Sequence, residues 1–105
     1  MRHIQHVIVG KTGPASRQSD IFDPNNGGIQ GKVDLGDAAV LETAVQAALA
    51  AQPEWAATNP QRRARVMFRF KQLVEAHIEE LAHLLSIEHG KVIADSKGDI
   101  QRGLE

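Results

Sequence analysis

Hydrophobic residues alternate loosely with polar ones as far as Leu35, then recur every three or four positions from Leu41 onward. The first pattern predicts strands and the second predicts helices. Residues 4–11 carry Val7, Ile8 and Val9 and read as one short strand ending at Gly10. Residues 12–20 hold Gly13-Pro14, Ser16 and Ser19, the chemistry of a turn. Ile21-Phe22 reads as a second short strand, stopped by Asp23-Pro24. Asn25-Asn26-Gly27-Gly28 tolerates the positive φ of a hairpin turn. Ile29 to Leu35 then sets Ile29, Gly31, Val33 and Leu35 on one face and Gln30, Lys32 and Asp34 on the other.

The helical part begins at Asp37, a side chain suited to cap a helix running to about Gln52. Leu41, Ala44, Val45, Ala48 and Leu49 share its apolar face, and Pro53 is expected to end it. Trp55 is then expected in the connection, plugging a helix junction. Asn59-Pro60 marks the next helix start. Met67, Phe70, Val74, Ile78, Leu81 and Leu85 form a stripe widened by Val66, Leu73, Leu84 and Ile87. The stripe fits one long helix or two joined near His77, and two are preferred because Glu79 and Glu80 would suit the first turn of a second one. Gly90 is expected just past its end, and Asp95-Ser96 to cap a final helix. The pattern is still helical at Glu105, which reads as part of something larger.

Composition narrows this picture. The chain has 105 residues, 42% of them hydrophobic, and much of that share is alanine. Its large aromatics are Phe22, Trp55, Phe68 and Phe70. Alanine favours helix but buries little area, so the helix stripes call for apolar partners beyond one small hairpin. The formal charge of −1 gives no long-range attraction to nucleic acid or to an anionic membrane. There is no cysteine, hence no disulfide framework, thiolate metal ligand or Cys nucleophile within these residues. No apolar run reaches the length of a membrane span, and residues 1–7 lack the pattern of a signal peptide. A cytoplasmic protein is the expectation.

Several constellations suggest chemistry and yield to plainer readings. Arg62, Arg63, Arg65, Arg69 and Lys71 cluster on one helix but have no interleaved aromatics, so a solvated helix surface outweighs a phosphate face. Gly90-Lys91 lacks the other positions of a phosphate loop: Leu85 stands where its first glycine belongs and Val92 where its Ser/Thr belongs. Gly27-Gly28-Ile29-Gln30-Gly31 precedes a strand and lacks the dinucleotide spacing. His3, His6, His77, His83 and His89 include no pair four apart, so no metal site is expected; Glu79 and His83 could meet across one helical turn. Arg102 lies between Gly98 and Gly103, which would permit close backbone approach, and its guanidinium is suited to grip a carboxylate. By residue type alone it is a surface arginine paired with Asp99 or Glu105.

A set of residues in order adds more. Gly10-Lys11, Phe22-Asp23-Pro24, Ala44-Val45 through Ala48, Trp55, Arg65, Leu81, Glu88-x-Gly90-Lys91 and Asp99-Ile100 resemble the opening of the aldehyde dehydrogenase superfamily. The run Asn59 to Met67, with Glu88-His89-Gly90-Lys91 and Asp95 to Glu105, is similar to its CoA-acylating methylmalonate-semialdehyde dehydrogenase branch. Thr12 stands where the family usually has an aromatic, and Asp23 where it usually has Asn.

The resemblance implies an α/β fold in the full protein. This chain would be the N-terminal portion of its cofactor-binding domain: short antiparallel strands at about 4–35, then three or four α-helices at about 37–105. The catalytic part and the oligomerisation arm would lie outside it. It also implies NAD and CoA as cofactors, a Cys thiolate as nucleophile, and conversion of methylmalonate or malonate semialdehyde to propionyl-CoA or acetyl-CoA in the breakdown of valine and related compounds. The complete enzyme would be a homo-oligomer, a tetramer, acting on a small molecule, with no nucleic acid or membrane partner. Within these residues the resemblance implies one site position, Arg102, as a ligand for the substrate carboxylate. It implies no catalytic, cofactor-binding or metal-binding residue, and no activity for the chain alone. A non-acylating aldehyde dehydrogenase and a helical interaction module are the alternatives.

Overall fold

A computed structural model describes all of residues 1–105, which form two compact units. The first comprises Met1–Phe22 and Ile29–Thr58. Its sheet is built from β1 (Arg2–Ile4), β4 (Arg17–Phe22) and β5 (Ile29–Leu35), with β5 in the middle. β4 runs antiparallel to β5, placing Gln18 opposite Asp34 and Asp20 opposite Lys32. β1 runs parallel to β5, with Arg2 opposite Gly31 and Ile4 opposite Val33. The sheet is therefore mixed, and β1 is the strand that departs from the antiparallel expectation. Gly31 permits this approach, since a Cβ there would lie 2.8 Å from the Arg2 carbonyl oxygen.

The predicted strand over 4–11 is broken in two places. β1 ends at Ile4, and a separate small hairpin pairs β2 (Val7–Ile8) with β3 (Lys11–Thr12). Val9 and Gly10 form its turn, both at positive φ, 54° and 71°. Such a turn matches the twist of a two-residue hairpin, but a β-branched residue rarely occupies it, so the sequence does not signal it. Residues 17–20 are likewise strand, not turn. Arg17, Gln18 and Ser19 are exposed, so no apolar alternation marks them. Their register is held by polar pairs across the strands: Lys32 Nζ donates to Asp20 Oδ1 at 2.6 Å, and Gln18 Nε2 to Asp34 Oδ1 at 3.0 Å.

α1 (Ala38–Ala57) starts where expected, with Asp37 Oδ1 accepting from the Val40 amide at 2.9 Å. It does not stop at Pro53, which lies inside it. Proline removes one backbone donor, but the alanine-rich turns around it favour helix strongly enough to carry it through. Trp55 consequently sits in the last turn of α1, 45% exposed, rather than plugging a connection. Thr58 closes the helix, its amide bonding the Trp55 carbonyl and its hydroxyl the Glu54 carbonyl.

The second unit comprises Asp23–Gly28 and Asn59–Glu105. In the turn, Asp23 Oδ1 accepts from the Asn25 amide and Asn26 Oδ1 from the Gly28 amide, with Gly27 at φ 75°. α2 (Pro60–Ala76) is capped by Asn59, whose Oδ1 accepts from the Gln61 amide at 2.8 Å. The chain breaks at His77 and continues as α3 (Ile78–His89), as the two-helix reading expects. Gly90 ends α3 at φ 89°, its amide bonding the Ser86 carbonyl. A Cβ at Gly90 would also meet Pro24 at 3.0 and 3.2 Å.

α4 (Ile93–Leu104) begins earlier than Asp95-Ser96. The amides of both residues bond the Val92 carbonyl, so they lie in the first turn and do not cap it. Ser96 is instead fully buried, its hydroxyl 2.7 Å from that of Ser86, one helical turn along α3 from the fully buried Ala82. Small side chains thus mark the seam of α3 and α4. Ala82 is the one buried hydrophobic residue of the chain, while Leu41, Leu49, Phe68, Phe70 and Leu73 are all more than half exposed.

Candidate functional site

The connection from α3 to α4 and the far end of α4 bring together the charged residues of greatest interest. Arg102 occupies the last turn of α4, and its side chain is 79% exposed. Its Nη1 lies 3.7 Å from Asp99 Oδ1, one turn earlier. That separation is an ion pair without a hydrogen bond, so the donors of the planar fork are not spent on Asp99. The other Asp99 oxygen, Oδ2, accepts from Lys91 Nζ. This hydrogen bond, reinforced by the charges of Lys91, Arg102 and His89, holds the Asp99 carboxyl below the usual carboxylate range against an opposing push from partial burial. Lys97 Nζ donates to Glu79 Oε1 at 2.6 Å and ties α4 to α3.

The pairing of Arg102 with Asp99 agrees with the plain reading of that arginine. The glycines beside it do not do what their spacing suggested. A Cβ at Gly98 or Gly103 would meet no atom within 4 Å, so neither is needed for close approach within this chain. Glu79 is taken by Lys97 rather than by His83, and His77 faces Glu80 at 3.3 Å. On α2, Arg62, Arg65 and Arg69 are exposed, and Lys71 lies 3.9 Å from Glu75. An apolar groove of about 560 Å³ runs beside the end of α4, lined chiefly by Met67, Phe70, Val74, Leu81, Ile100 and Leu104.

Sequence spacing missed a second polar cluster, in the sheet. Asp34 is 6% exposed, and His3 Nε2 lies 2.6 Å from its Oδ1. An ionised carboxylate can only accept, so His3 donates to it. Gln18 Nε2 donates to the same oxygen and touches His3 at 2.9 Å. The His3 hydrogen bond, aided by Gln18 and by the charges of His3 and His6, holds Asp34 below its ordinary range despite burial. These three side chains come from β1, β4 and β5, and they tie the strands together. Only the Gln18–Asp34 contact could have been found beforehand, and only once the hairpin register was known.

The residues present do not fit a nicotinamide dinucleotide. The strand-to-helix turn from β5 into α1 holds Gly36 alone, and the α1 terminus is already occupied by the Asp37 carboxylate, which would repel a pyrophosphate. With no cysteine in the chain, no thiolate is available here either.

Likeness to known proteins follows these elements closely. The aldehyde dehydrogenase family matches residues 12–105. A malonate-semialdehyde dehydrogenase of Pseudomonas aeruginosa is 41% identical over the whole chain, which covers 21% of that protein. The mitochondrial acylating methylmalonate-semialdehyde/malonate-semialdehyde dehydrogenase of Rattus norvegicus is 38% identical over 82% of the chain and 16% of its own length. The NAD complex of a Sinorhizobium meliloti protein assigned as a methylmalonate-semialdehyde dehydrogenase superposes with a TM-score of 0.95 at 54% identity, over 99% of this chain and 22% of that one. The chain thus spans about a fifth of the length of these relatives and matches the N-terminal part of their fold. The family match over residues 12–105, all but the first eleven residues, makes the chain a member of the aldehyde dehydrogenase family.

Proposed function

We propose that the full protein carrying this chain is an NAD-dependent, CoA-acylating dehydrogenase that converts methylmalonate or malonate semialdehyde to propionyl-CoA or acetyl-CoA. Residues 1–105 form the N-terminal portion of its cofactor-binding domain. The supporting observation is that likeness to semialdehyde dehydrogenases runs the length of the chain and includes the α4 corner with Arg102. NAD would take the hydride and CoA the acyl group, with the substrate carboxylate lost as carbon dioxide; both cofactors and the nucleophile would be held by the remainder of the protein. The active form is a cytoplasmic homotetramer, and its place is in the breakdown of valine and related compounds.

Within this chain Arg102 binds the substrate carboxylate. A substrate with an aldehyde at one end and a carboxylate at the other must be held by the second so that the first meets the nucleophile. An exposed guanidinium on the last turn of a helix, restrained by Asp99 at 3.7 Å, can offer two parallel donors to it. Such a contact contributes about 1.5–3 kcal/mol. In the full-length enzyme Arg102→Leu should lower kcat/KM for methylmalonate semialdehyde about tenfold to a hundredfold and spare propionaldehyde, which has no carboxylate. Arg102→Lys should recover part of the loss. Nicotinamide absorbance measures both substrates. Equal loss for the two aldehydes would place the carboxylate pocket elsewhere. Thioester formation that depends on CoA, against release of a free acid, tests the acylating assignment.

A further inference from the structure

We infer that Lys91 sets specificity for a carboxylated aldehyde by occupying Asp99, so that the Arg102 fork stays open to the substrate. The inference rests on the reading of Arg102 given above and names what keeps that site available.

Asp99 and Arg102 sit three apart on one face of α4, where a carboxylate and a guanidinium readily close on each other. Asp99 is therefore the built-in competitor of any incoming carboxylate. At 3.7 Å its Oδ1 forms an ion pair with Arg102 that has not closed to a hydrogen bond. Its Oδ2 is taken by Lys91, whose side chain is 21% exposed against 79% for Arg102. Of the two cations Lys91 is the less solvated, and its bond to Asp99 is the less screened. The backbone beside it is fixed, because Gly90 holds φ 89° and bonds the Ser86 carbonyl. Lys97 cannot substitute, since it is engaged with Glu79. His89 adds positive charge near Asp99.

Lys91 is a positioning residue, so its test separates binding from turnover. In the full-length enzyme Lys91→Met should release Asp99 onto Arg102. KM for methylmalonate semialdehyde should rise about two- to fivefold with kcat little changed, and the preference over propionaldehyde should fall by the same factor. Lys91→Arg should keep the wild-type preference. The double variant Lys91→Met with Asp99→Asn should restore it, because a neutral amide does not compete for the fork. Equal loss for both aldehydes in Lys91→Met, or failure of the double variant to recover, overturns the inference. Should Lys91→Met not fold, Asp99→Asn alone decides: KM for the semialdehyde at or below wild type supports the inference and a rise overturns it. Arg102→Leu distinguishes the two levels. If that variant discriminates between the aldehydes and Lys91→Met does not, this inference fails while the role of Arg102 stands. If Arg102→Leu does not discriminate, both fall.

Discussion

Asp34 shows how one buried side chain can govern acid stability. It accepts from His3 and Gln18 while 6% exposed, and the His3 bond is the main reason its carboxyl titrates below the ordinary value. The unfolded chain has no such partners, so its Asp34 titrates at the ordinary carboxyl value. Because the folded value is the lower one, the stabilisation is complete above the unfolded value and is lost as pH falls through the folded one. Asp34→Asn in the full-length protein should therefore lower Tm near neutral pH, and the gap from wild type should narrow as pH drops below about 4. A thermal-melt series across that range checks the sign. A gap that widens on acidification would mean that Asp34 is not the stabilising ion. Asp99 carries the same sign through Lys91, so the wild-type protein should lose both contributions over one acidic window.

At the scale of elements, α1 is the helix with an identifiable flaw. Pro53 leaves one carbonyl of the preceding turn without its usual amide partner, yet the helix runs through it to Ala57. Pro53→Ala should restore that bond and raise stability by about 1–3 kcal/mol, read as a higher Tm or denaturation midpoint. An unchanged midpoint would show that the local backbone has already compensated. The helix ends show what is legible in the sequence. Asp37, Asn59 and Gly90 act through bonds to residues at most four away, and each was placed correctly from residue type. β5 was bounded correctly because its apolar alternation is unbroken. β4 and the β2–β3 turn escaped because polar cross-strand pairs and a β-branched residue at positive φ leave no periodic trace. At the site, Arg102 with Asp99 follows from a spacing of three. The Lys91–Asp99 bond depends on the path taken around Gly90, which no spacing encodes.

At the scale of the whole molecule, burial falls well short of what the apolar content would supply. Ala82 alone among the hydrophobic residues is buried, while Met67, Phe68, Phe70 and Leu73 each remain more than half exposed on α2. Such surface lowers its free energy when covered. The 105-residue chain expressed alone should melt broadly, bind a hydrophobic dye and associate, and it should show no turnover with NAD, CoA and aldehydes. Sedimentation and thermal melting check the first part and nicotinamide absorbance the second. A sharp monomeric melt at high temperature would identify a self-sufficient domain.

The parallel pairing of β1 with β5 also sets an order of events during synthesis. Arg2 to Ile4 leave the ribosome well before their partners, Gly31 to Val33. A local antiparallel hairpin such as β4–β5 can close as soon as its second strand emerges. β1 must wait for the same strand across a much longer loop, at translation rates a delay of roughly 1.5–6 s. Throughout that interval the amides of β1, and the imidazole of His3 destined for Asp34, are available to whatever meets the nascent chain. β1 is thus made before its partner and must wait for it, and a folding factor acting on this protein has an opportunity there.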